Sequence, residues 1–217
     1  MRRLRAIQWI LVLALLASAA PSFGQNRVFV TDGRFNGNLG GLAGGDAICQ
    51  AEADGQALGG VWVAWLSTVS PVVNARDRLS PGSFALLNGS PVAASIADLT
   101  DGTIANAISL TPTGVILMST PVWTGTAPDG TPGAPPNDCG GWTGAGSGWF
   151  GNATNSDSQW TFIDTFPCDN SAPIYCFERQ VVPSLPAWAL LVLAVTLGAG
   201  SLLLLRHLRT GHEGRLA

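Results

Sequence analysis

All four cysteines of the chain, Cys49, Cys139, Cys168 and Cys176, lie between two apolar runs at its ends. That placement sets both the compartment and the stretch within which a fold must close. The N-terminal run begins with Arg2, Arg3 and Arg5 and continues from Ile7 to Ala20, with only Gln8 and Ser18 as polar breaks. Small residues follow in Ala19-Ala20-Pro21-Ser22-Phe23-Gly24, so residues 1–24 read as a secretory signal peptide. Ser22 and Gly24 suit a cut before Gln25, with cuts after Ala19 or Ala20 as alternatives. The second run, Ala187–Leu205, carries no charge. As a helix it would be about 28 Å long, close to the thickness of a bilayer core. Trp188 marks its outer entry, and Arg206, His207 and Arg209 follow it. That order directs the basic tail 206–217 to the cytoplasm and everything before Trp188 to the outside.

An exported position turns an even set of cysteines into two expected disulfides, and the spacings leave the pairing open. They also lack the close CxxC pair of a zinc site. The only histidines, His207 and His212, fall in the cytoplasmic tail, which removes Ser-His and Cys-His catalysis from the exported segment. Residues 26–180 form one domain, long enough for a sizeable core. They hold five Arg, no Lys and thirteen Asp or Glu, a formal charge of −8. Phosphate binding needs a basic surface, so nucleic acid is excluded as a partner.

Within the domain, Arg27–Thr31 reads as an opening strand, because its residues are β-branched and aromatic. Ala47, Ile48, Ala51 and Leu58 recur at helical spacing and predict a helix over Gly44–Ala57, with Asp46 favouring its first turn. Val61–Leu66 is apolar on both faces and predicts a buried strand whose Trp62 and Trp65 are core. Asn88-Gly89 after Phe84–Leu87 is a hairpin signal. A short helix is expected in Ala93–Leu99, and strands at Val115–Met118, Val122–Thr124, Gln159–Thr165 and Pro173–Glu178. From Gly125 to Ser158 nine Gly and four Pro predict one long irregular loop, the kind of segment that is usually functional or mobile. The expected fold class is α+β.

Several motifs then line up with a known pattern. Asn38-Leu39-Gly40-Gly41-Leu42-Ala43-Gly44-Gly45-Asp46 followed by Cys49-Gln50 resembles the start of the endostatin-type module, a C-type-lectin-like fold. Trp62–Ser67, Ala75–Leu79, Val122–Thr126, Cys139–Thr143 and Tyr175–Glu178 resemble its later segments in the same order. The nearest likeness is to bacterial secreted domains of this fold with no assigned activity. The resemblance implies nested disulfides, Cys49–Cys176 and Cys139–Cys168. Sugar-binding members of the fold hold calcium through a Glu-Pro-Asn or Gln-Pro-Asp triplet and a Trp-Asn-Asp triplet, and this sequence has neither. No cofactor is expected. Asp129, Asn137 and Asp138 are the hard-oxygen ligands that would suit calcium in the long loop, with turn formation as the simpler account. The zinc site of endostatin depends on histidines, which this domain lacks.

At the other end, Val182-Pro183-Ser184-Leu185-Pro186-Ala187-Trp188-Ala189 resembles the Ile-Pro-Thr-Leu-x-x-Trp-Gly signal of IPTL-CTERM sorting segments. The resemblance implies that an exosortase-type membrane enzyme processes residues 181–217. The expected function is therefore a non-catalytic surface binding module with a glycan or protein ligand. The precursor would sit in the inner membrane with its domain in the periplasm, and later at the cell surface or outside. A structural envelope or matrix component is the alternative. A hydrolase using Asp77, Asp101 or Asp129 is a third reading, although Arg76 and Arg78 beside Asp77 suggest an ion pair instead.

Overall fold

A strand apolar on both faces needs cover on both, and the opening strand has it, with Val28 and Val30 packed into one core cluster and Phe29 into another. The computed structural model describes residues 24–135 and 137–180. The expected signal peptide up to Phe23 lies outside them. So does all of 181–217, with Val182, Pro183, Ser184, Leu185 and Trp188 and the apolar run. Among the described residues no helix is long and apolar enough to cross a membrane.

The fold is α+β. Strand β1 (Asn26–Val30) runs antiparallel to β10 (Tyr175–Arg179) and parallel to β5 (Phe84–Leu86). β2 (Val61–Ala64) and β6 (Pro91–Ala93) complete the five-stranded order β2-β10-β1-β5-β6. Val28, Val30, Val63, Trp65, Tyr175 and Phe177 pack on one face. Phe29, Trp62, Ala64, Leu66 and Cys176 pack on the other, against helix α1 (Gly41–Gly55). Trp62 and Trp65 are core, as their neighbours in sequence predict. A second sheet, β7 (Pro121–Trp123), β8 (Ser147–Asn152) and β9 (Asp164–Pro167), is antiparallel with β8 in the middle. A small hairpin pairs β3 (Thr68–Val69) with β4 (Val72–Val73), and a short helix α2 (Ile96–Leu99) follows β6.

The disulfides are Cys49–Cys176, tying α1 to β10, and Cys139–Cys168, closing the segment that leads into β8 to the end of β9. This is the nested order. The bonds close sequence separations of 127 and 29 residues, and each restricts the unfolded chain by about 3 to 5 kcal/mol.

Several sequence expectations need correction. The helix starts at Gly41 rather than Gly44, behind a left-handed Gly40 with φ +81° and no side-chain cap. Asp46 is therefore not a first-turn acid. It faces β2, where its carboxylate receives the Ala64 N–H at 2.9 Å and is gripped by both Arg78 Nη2 contacts, the longer 2.7 Å. Val115–Met118 is not a strand. It makes one isolated bridge, Leu110 to Ile116, and leaves Val115, Ile116 and Met118 exposed, since β propensity without a partner edge forms no ladder. The strand expected at Gln159–Thr165 is displaced. Asp157 caps a tight turn, Ser158–Trp160, that delivers Trp160 to the core, and β9 begins only at Asp164.

The long irregular loop is the largest difference. It contains β8, the central strand of the second sheet. Gly148 and Gly151 hid the strand by breaking its alternation. Both are close approaches rather than turns: Cys139 Sγ and the Trp123 ring lie over Gly148, and the Trp160 backbone lies over Gly151.

Candidate functional site

The register of the five-stranded sheet separates the molecule into two ends. Gly24 and Gln180 sit together beside the Asn26 and Arg179 ends of β1 and β10. The β3–β4 hairpin follows Ala64, and the second sheet joins just past Ala64 and Tyr175 through the Trp123–Ile174 bridge and the Ser67 N–H bond to the Thr124 carbonyl, at the opposite end. Whatever reaches the domain opposite its chain ends meets this second half.

Side chains bonding to backbone reinforce the β7-β8-β9 ladder in that half. Trp142 Nε1–H donates to the Ser67 carbonyl at 2.9 Å, and Trp123 Nε1–H donates to the Phe35 carbonyl at 2.9 Å. The two indoles meet edge to face at 6.1 Å. Behind them runs a buried hydroxyl chain. Trp65 Nε1–H donates to Thr161 Oγ1, which donates to the Thr126 carbonyl. The Thr126 hydroxyl donates to the Thr124 carbonyl and lies 2.9 Å from Ser67 Oγ, itself the acceptor of the Ala75 N–H. Burial pushes the Tyr175 hydroxyl well above its ordinary pKa, so it stays protonated and donates to the Trp160 carbonyl.

Four successive residues, Cys139, Gly140, Gly141 and Trp142, have φ of +49°, +66°, +71° and +65°. They make one left-handed helical turn. Each L-residue in that conformation costs roughly 1–2 kcal/mol, which the glycines avoid and Cys139 and Trp142 do not. The cost is offset because the turn seats both side chains at once, Cys139 in its disulfide and Trp142 against Ser67 and Trp123.

Asp129 and Asp138, two of the candidate calcium ligands, accept hydrogen bonds from within the protein. Asp129 is exposed, and its Oδ1 takes the Thr131 hydroxyl at 2.7 Å and the Thr131 N–H at 3.0 Å. The Thr131 hydroxyl holds the Asp129 carboxyl below its ordinary pKa. The Asp129 backbone carbonyl accepts from Arg76. Asp138 is buried and its Oδ2 accepts the Val69 N–H. Asn137 is buried, donates to the Gly133 and Gly125 carbonyls, and has no hydrogen-bond partner for Oδ1 among the described residues. Three or more His, Cys, Asp or Glu are nowhere clustered for a metal ion among the described residues. Asp77 and Asp101 are likewise engaged in local turns, Asp77 with Asn74 and Asp101 with Thr103. Arg76 approaches Asp77 at 3.7 Å, while Arg78 pairs with Asp46 instead.

Sequence reading did not single out Trp149. Of the six tryptophans among the described residues, five are at most 1% exposed, and Trp149 alone stays half-buried. It stacks on Phe162 at 3.8 Å between ring centroids, with Gly133 against its benzo ring. The signal was present in Trp149-Phe150, but it lay within the Gly-rich stretch. Met118, 80% exposed, is the most open large apolar side chain among the described residues. Neither a protein-family model nor a curated protein matches the chain.

Proposed function

We propose that residues 26–180 are a C-type-lectin-like, endostatin-type domain that acts as a non-catalytic binding module. In this reading the protein is exported by its N-terminal signal. It is first held in the membrane, then released or sorted by an exosortase-type enzyme acting on 181–217. The observation that carries the reading is the closure of the domain. Its first and last strands are neighbours, and the nested disulfides tie helix to last strand and long segment to second sheet. The end opposite the chain ends carries the partly exposed Trp149–Phe162 pair, which offers an aromatic contact for a glycan or protein ligand.

A glycan array probed with purified exported protein, with and without calcium, tests the binding half. Binding that weakens in Trp149→Ala supports it. An array without signal in either condition favours the structural envelope or matrix reading. The sorting half is tested in the native host. Replacing Pro183 and Leu185 with Ala is expected to leave full-length protein in the membrane, while wild type loses residues from about Trp188 onward. Wild-type protein that retains Leu216 and Ala217 in a host with the enzyme sinks the sorting reading.

A further inference from the structure

The fold leaves almost no chain between the leader and the first strand. Asn26 is already fully buried. Its N–H donates to the Ser83 carbonyl at 2.8 Å, and its side-chain amide reaches the Ser80 and Pro81 carbonyls at 3.3 and 3.4 Å. It begins β1, which lies between β10 and β5. Gln25, immediately before it, is exposed. Resting on the export reading, we propose that Gln25 becomes the mature N-terminus and closes to pyroglutamate, capping the central strand.

The step needs no cofactor. The neutral α-amine attacks Cδ of its own carboxamide and forms an N–Cδ bond. The Cδ–Nε2 bond breaks, and ammonia leaves with the proton the amine gives up. An α-amino group titrates near about 7.7–8.0, so a useful fraction is neutral at neutral pH. Exposure leaves the side chain free to turn back on its own amine, whereas Asn26 is held by its buried bonds. Closure also removes the terminal positive charge. The physical consequence is protection. An aminopeptidase that removed two residues from a free Gln25 end would take Asn26, and with it the bonds to Ser80, Pro81 and Ser83 that seat the start of β1. A lactam offers no free amine to that enzyme.

The test uses full-length gene product recovered from its host and acid-quenched at harvest, so that closure during handling is excluded. N-terminal peptide sequencing by mass spectrometry is expected to find residue 25 first, lighter by one ammonia. A Gln25→Ala variant is expected to start at the same position with a free amine, and to be trimmed by an added aminopeptidase that leaves wild type intact. A free amine on Gln25, or a mature end at another residue such as Pro21, overturns the inference while export stands. A chain that still begins at Met1 in every fraction overturns both.

Discussion

The two halves of the domain reach similar burial by different means. In the five-stranded half, ladder bonds and alternating side chains do the work: Val28, Val63 and Phe177 on one face, Phe29, Trp62 and Cys176 on the other. In the half built on β7, β8 and β9, a shorter ladder is joined to the rest by isolated bridges, indole-to-carbonyl bonds and a left-handed turn. Ladder structure tolerates the loss of one contact, because neighbours share the register. A network of single side-chain bonds does not, because each donor lost leaves a buried acceptor or donor unpaired.

The largest effect should come from the disulfides and should separate the halves. Loss of Cys49–Cys176 as a double Ala variant is expected to lower stability by about 4 to 5 kcal/mol in one cooperative transition, read by denaturant titration. Loss of Cys139–Cys168 is expected to cost about 3 to 4 kcal/mol and to speed amide exchange first in residues 137–152. Equal exchange changes across both halves would remove the distinction. Next, Trp142→Ala should destabilise by about 3 to 5 kcal/mol, since it empties a buried indole site and unpairs the Ser67 carbonyl. A loss under about 1 kcal/mol would show that the left-handed turn does not depend on its tryptophan.

Ser67→Ala is smaller, about 1 to 3 kcal/mol, because it strands the buried Ala75 N–H without opening a large cavity. The weakest effect belongs to the ladder half. Burial raises the Glu178 carboxyl, but hydrogen bonds and charge from Arg27 outweigh it and hold the pKa below 4.5. The contacts are 2.7 and 2.8 Å. A depressed folded pKa contributes stability that is present above the unfolded value and lost as pH falls through the folded one. The expected loss therefore lies below pH 4.5. With Arg27 33% exposed, solvent screening limits Glu178→Gln to about 1 kcal/mol at neutral pH. A Glu178→Gln variant with unchanged acid sensitivity would assign that loss to other carboxylates.

Local pattern carried the ladder half into view. β1, β2, the Asn88-Gly89 hairpin between β5 and β6, and β10 lie within a few residues of their expected places, since periodicity and turn chemistry are properties of neighbouring residues. In the second half β7 lies where a strand was expected at Val122–Thr124, but its central strand β8 was hidden. Gly148 and Gly151 are small because Cys139, Trp123 and Trp160 come from elsewhere in the chain to lie on them, and no local pattern distinguishes that from a flexible loop.

Cysteine number, the charge of residues 26–180 and the run of apolar β-formers in β1, β2 and β10 were set by the sequence alone, because each depends on composition or short spacing. Tertiary structure decided three other things: that Arg78 pairs with Asp46 rather than Asp77, that Asp129 stays exposed while Asp138 is buried, and that Trp149 stays half-buried. Each depends on which distant segments meet. A side chain's partner in a half built from crossing loops is selected by packing, and packing has no period to read.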